Sequence, residues 1–113
     1  MQALRLLQDW YFSNCNGDWE HEFQVKIETL DNPGWMLRID LSETTLDGKD
    51  FPGYSYGLDR DDDDWVDCKV ADKQFKAAGG PFKLEEMVEV FLAWAGGDLP
   101  NYSLKRTNQS LRD

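Results

Sequence analysis

The stretch FQVKIETLDNPGWMLRIDL, residues 23–41, carries two alternating runs on either side of a turn. Phe23, Val25 and Ile27 alternate with Gln24, Lys26 and Glu28, and then Trp35, Leu37, Ile39 and Leu41 alternate with Met36, Arg38, Asp40 and Ser42. A period of two belongs to a strand with one dry face and one wet face. Between the runs, Pro33 fixes φ at the first central position of a turn and Gly34 supplies the positive φ needed at the next. The segment therefore reads as an antiparallel β-hairpin. Its register is well specified, because a one-residue slip would turn Phe23, Val25 and Ile27 out to water.

Working outward, Leu4, Leu7 and Tyr11 fall at helical spacing, with Leu6 and Trp10 widening the stripe, so residues 3–13 read as an amphipathic helix stopped at Gly17. The segment "WEHE" leads into the first strand, which sets His21 with its side chain turned away from Glu20 and Glu22. Downstream, Tyr54, Tyr56 and Leu58 mark a third strand and Val66, Cys68 and Val70 a fourth, with a short fifth around Phe75. After Gly79-Gly80-Pro81 the pattern turns helical through Leu84, Val88, Phe91, Leu92 and Ala95. Glu85, Glu86 and Glu89 lie near its start, where the helix dipole favours them. The expected fold class is α+β: an antiparallel β-sheet meander of four or five strands flanked by an N-terminal and a C-terminal helix. Residues 1–96 form the domain, and residues 97–113 are a polar, aperiodic tail.

The 113 residues are 41% hydrophobic and 13% aromatic, enough for one domain with a real core. The formal charge is −10, from 22 acidic against 12 basic side chains, which argues against direct binding to nucleic acid or an anionic membrane. The acidity is concentrated: residues 18–67 hold 15 acidic side chains against Lys26, Arg38, Lys49 and Arg60. The N-terminus has neither the apolar run nor the flanks of a secretory signal, and no stretch is apolar enough to span a membrane, so a cytoplasmic location is expected. In that compartment Cys15 and Cys68 are thiols, Cys68 buried in a strand and Cys15 near a helix end.

Residues 59–65, "DRDDDDW", place five aspartates in six positions ahead of a tryptophan. Three readings compete: a divalent metal site, a solvated loop, and a surface for a positively charged partner. Asp59, Asp61 and Asp63 open like an EF-hand loop, but its sixth position is Asp64 in place of Gly and its twelfth is Val70 in place of Glu. The loop then lacks both its bend and its bidentate ligand. His21 has no second histidine or cysteine near it, Cys68 has acidic and apolar neighbours that raise a thiol pKa, and Gly79-Gly80-Pro81 is punctuation with no phosphate-loop spacing. No catalytic set assembles, so neither metal nor cofactor is expected. A small metal- or thiol-dependent enzyme and an acidic adaptor stand as the other classes.

Taken in order, "LQDWYFSNCNGDWEHEFQVKIETLDNPGW", "RIDL", "DDDDWVDCKV", "FKAAGGP" and "LEEMVEVFLAW" resemble the immunity protein 53 family of bacterial polymorphic toxin systems, over roughly residues 4–95. The most specific parts are "GDWEH", "LDNPGW" and the W-x-x-C-x-V strand leading to "AGGP". The resemblance implies a small α+β antidote that is encoded beside a toxin and binds it; with no catalytic set among its residues, the chain is expected not to be an enzyme. The expected partner is a cognate toxin domain with a basic surface. Asp59, Asp61, Asp62, Asp63 and Asp64 are the expected steering rim, and Glu20, Glu22 and Trp65 the central contacts. The oligomeric state stays open.

Overall fold

The structure, a computed structural model, describes residues 2–96. The expected tail at 97–113 lies outside the described residues. Helix α1 (Gln2–Asn14) leads into a helical turn, α2 (Trp19–Glu22), then β1 (Val25–Leu30), β2 (Gly34–Asp40), β3 (Tyr54–Tyr56), β4 (Val66–Ala71), β5 (Gln74–Gly79) and α3 (Leu84–Trp94). The strands form one antiparallel sheet in the order β1-β2-β5-β4-β3, with α1 and α3 on one face. The architecture is the expected α+β arrangement. Its strand order is two hairpin runs, β1-β2 and β3-β4-β5, joined where β5 docks on β2.

The residue 23–41 hairpin is present in register, with Val25 opposite Ile39 and Ile27 opposite Leu37, but its details differ from expectation. The turn occupies residues 31–33 with a cis Asn32–Pro33 peptide, and Gly34 lies inside β2 without a positive φ. Gly34 is required for another reason: a Cβ there would collide with the backbone carbonyl of Gly79 on the neighbouring strand. The first strand also begins later than the alternation suggests. Asn16 Oδ1 accepts hydrogen bonds from the backbone N–H groups of Asp18 (2.9 Å) and Trp19 (3.0 Å), and this local capping favours a helical turn at residues 19–22. His21 therefore sits exposed on α2, off the strand, and Trp19 is buried with its indole N–H donating to Ser42 O at 2.9 Å.

Sheet position explains which apolar residues are buried. Leu37, Ile39, Phe75, Val66 and Cys68 lie on the helix-covered face of the inner strands and are buried, together with Tyr54 of β3. Ile27 points to the same face but lies on edge strand β1, beyond the helices' cover, and stays 38% exposed. The α1 stripe is rotated by one position from expectation: Ala3 and Leu7 are buried with Leu6 and Trp10 packed beside them, while Leu4 and Tyr11 face out. The rings of Trp10, Phe91, Phe75, Phe51 and Trp94 make a chain of mostly edge-to-face contacts, 4.9–5.5 Å between successive centroids, that ties both helices to the sheet. β5 proves to be a full central strand. It is reached through a two-residue turn, Asp72 and Lys73, both at positive φ as a type I′ hairpin requires.

Candidate partner-binding site

The aspartate run joins β3 to β4 at the end of the sheet where Trp35, Gly79 and the 31–33 turn lie. It is a framed loop. Arg60 Nη2 donates to Asp64 O at 2.7 Å and to Asp64 Oδ2 at 3.2 Å, and Asp62 Oδ1 accepts the Asp64 backbone N–H at 2.9 Å. Lys83, which leads into α3, places its amine 2.8 Å from Asp64 Oδ1 and over the Tyr56 ring. Burial works against that ammonium, yet hydrogen bonds to Asp64 and Tyr56 raise its pKa above the ordinary lysine value. Two glycines let the backbone close in. A Cβ at Gly80 would overlap the carbonyl of Asp63, and one at Gly57 the carbonyl of Asp64. The Gly79-Gly80 pair is thus a seat for the loop as well as punctuation before α3.

The five aspartates consequently divide. Asp64 is neutralised by Arg60 and Lys83, and Asp62 is committed to capping. Asp59, Asp61 and Asp63 are exposed and make no ion pair among the described residues. Asp61, Asp62 and Asp63, with Arg60 among them, line a cleft of about 450 Å³ together with Pro33, Leu58 and the half-buried Trp65. Leu58 is 57% exposed, and Phe82, adjacent to Lys83, is 87% exposed. Sequence reasoning did not mark Phe82, and it expected Leu58 on the third strand, which ends at Tyr56 and leaves Leu58 in the loop. For Phe82 the available signal was a large apolar residue between Pro81 and Lys83, ahead of the helical period.

Glu20 and Glu22 lie elsewhere. They sit on α2, at the end of the sheet where Gln24 pairs with Asp40, so the length of β2 separates them from Trp65, roughly 20 Å at a strand's rise. The Glu20 carboxylate accepts the backbone N–H groups of Asn16 (3.0 Å) and Gly17 (2.9 Å), and backbone hydrogen bonds hold its pKa below the ordinary value. Glu20 is occupied with its own turn, while Glu22 is exposed.

A second charged feature appears only in three dimensions. Lys26 pairs with Arg38, Arg38 with Lys76, and Lys76 with Lys69. Four cations from four strands thus form one row across the open face of the sheet. Lys76 is paired to Asp72 at 2.9 Å, whereas Lys26, Arg38 and Lys69 are exposed and make no ion pair among the described residues. Like charges directly opposite one another on a sheet oppose folding.

No group of three or more His, Cys, Asp or Glu side chains among the described residues is placed to hold a metal ion. Burial, aided by Asp67 and Glu86, pushes the Cys68 thiol far up, so it is core. Glu86 accepts the hydroxyls of Tyr54 at 2.8 Å and Tyr56 at 2.9 Å, which fastens edge strand β3 to the first turn of α3. No helix among the described residues is long and apolar enough to cross a membrane.

The family model described as immunity protein 53 matches residues 4–96. No curated protein matches, and no solved structure does.

Proposed function

The chain belongs to the immunity protein 53 family, and on that premise we propose that it is an antidote, neutralising a cognate toxin domain by stoichiometric, non-enzymatic binding. The toxin meets the end of the sheet built from the aspartate loop. The observation that carries this reading is the framed loop itself, which holds the carboxylates of Asp59, Asp61 and Asp63 unpaired, the latter two in a cleft with Trp65 and Leu58. Because Arg60, Lys83, Gly57 and Gly80 fix the loop in the free protein, little ordering entropy remains to be lost on binding. Free carboxylates steer a basic partner and set the encounter rate, and apolar anchors at their side govern release. Asp62 and Asp64 hold the rim in shape, and Glu22, at the other end of the sheet, lies outside this contact.

The reading is tested by mixing the protein with the toxin domain encoded beside it. Inhibition should reach completion at equal molarity, and toxin recovered from the complex by denaturation and refolding should regain full activity. Toxin that is silenced by substoichiometric amounts, or that stays inactive after separation, would point to an enzyme and overturn the proposal.

A further inference from the structure

We infer that β1 is a self-complementary edge through which two copies of this chain pair, two-fold and antiparallel about Ile27, into one continuous sheet. β1 is an outermost strand of the five, with no neighbour on its outer side among the described residues. The Asp40 backbone N–H donates to Gln24 O at 3.1 Å, and in an antiparallel ladder hydrogen-bonded and non-hydrogen-bonded pairs alternate. Lys26 and Glu28 therefore bond inward to β2, while Val25, Ile27 and Thr29 turn their N–H and C=O groups outward.

A second β1 laid antiparallel with Ile27 opposite Ile27 satisfies that pattern. Ile27 meets Ile27, and Val25 meets Thr29, as hydrogen-bonded pairs, so every outward N–H and C=O of these three residues finds a partner. The side chains agree with the backbone. Lys26 falls opposite Glu28 of the second copy, and Glu28 opposite its Lys26, in the non-hydrogen-bonded positions where side chains approach most closely. Within one chain Lys26 faces the like charge of Arg38 and Glu28 faces Met36, so pairing gives each the opposite charge it lacks.

On the helix side, pairing covers Ile27, 38% exposed in the single chain. It also sets Thr29 of the second copy opposite Val25, at the mouth of a groove of about 440 Å³ lined by Leu7, Tyr11 and Phe23. The other edge cannot propagate the sheet. β3 has three residues, so the assembly closes as a dimer and does not extend into a fibre. The surface is independent of the aspartate loop, which lies beyond the hairpin turn and remains free.

The test is sedimentation of the full chain in physiological salt, from about 1 µM to about 1 mM, the upper end reaching the limit of weak association. The wild-type chain should pass from monomer to dimer. Ile27→Pro removes an outward N–H and no bond to β2, and should leave a folded monomer. Lys26→Glu and Glu28→Lys each place like charges opposite one another twice per dimer and should weaken association about tenfold or more. The double variant carrying both changes restores opposite charges and should recover it. A wild-type chain that stays monomeric throughout would overturn the inference, as would a dimer indifferent to Ile27→Pro, or a double variant no better than the singles. A monomer whose β1 amides are nonetheless slow to exchange would give the edge to residues 97–113, and a monomer whose toxin complex is lost with Ile27→Pro would give it to the toxin; either result overturns pairing with a second copy.

Discussion

The aspartate loop and the basic row are the two most charged features of this protein, and they are assembled in opposite ways. The loop is contiguous in sequence, and the fold supplies counter-charges to it: Arg60 from within, Lys83 from the start of α3. The row is scattered over positions 26, 38, 69 and 76, and the fold brings its like charges into register, with Lys76–Asp72 its one ion pair among the described residues. A charge run visible in a sequence is thus partly neutralised when folded, whereas a basic patch that no run announces is assembled by strand register alone. Net charge adds another lesson. Lys26 and Arg38 belong to the strongly acidic residues 18–67, so division by sequence is not division in space.

The loop's frame is the most sensitive part of this contrast. Gly80→Ala places a methyl group where the Asp63 carbonyl lies, and the resulting overpacking should cost about 2 kcal/mol in denaturant unfolding and shift the loop. If the loop is loosely attached, the substitution will be neutral. Next comes Asp64→Ala, which leaves Lys83, 19% exposed, without its carboxylate; about 1 kcal/mol is expected from chemical denaturation, reduced by the loop's partial exposure. The same measurement on Asp61→Asn with Asp63→Asn should stay within roughly 0.5 kcal/mol of wild type, because those carboxylates support nothing in the fold.

For the row the expected sign is reversed. Arg38→Gln removes a like-charge contact on both sides and should raise stability by about 0.5 kcal/mol, a gain that shrinks in high salt. A loss of stability would mean that the row is held by interactions other than those seen. The smallest effect belongs to Glu89, whose carboxyl pKa is raised by burial and then by Glu85 and Glu86. A folded pKa above the unfolded one gives stability that is present at acid pH and lost as pH rises through the folded value. Glu89→Gln should therefore melt slightly above wild type at pH 7, with the difference vanishing below about pH 4, where the unfolded carboxyl also protonates.

How much of this was legible follows from the same contrast. The hairpin of residues 23–41 could be read because alternation and a proline-containing break between the runs are local, though the turn's form was not, and the family resemblance rested on motifs contiguous in sequence. The reason for Gly34 could not be read, since the clash it avoids is with Gly79, 45 positions away. The exposure of Ile27 was hidden too, because alternation shows which face a residue takes and not whether its strand is at the edge. Helix α2 was missed because its cause, the Asn16 cap, competes locally with a strand pattern that begins only at Val25. In the candidate site, the aspartates were visible, but their division into framing and free carboxylates depends on Lys83 and Gly80, brought in by the chain's return through β5. Leu58 was misplaced on the third strand because its alternation with Tyr54 and Tyr56 continues past the point where β3 ends, at Tyr56.

The central claim, that the framed loop presents free carboxylates to a basic toxin, is tested most directly by the association rate. Stopped-flow mixing of the neighbouring toxin domain with wild type and with the Asp61→Asn, Asp63→Asn variant should be followed from about 0.02 M to about 0.5 M salt, over which the screening length falls severalfold. The account predicts that the variant associates several-fold more slowly at low salt, that the two proteins converge at high salt, and that dissociation barely changes. Equal association rates at low salt with inhibition intact would contradict it, and would move the contact away from this end of the sheet.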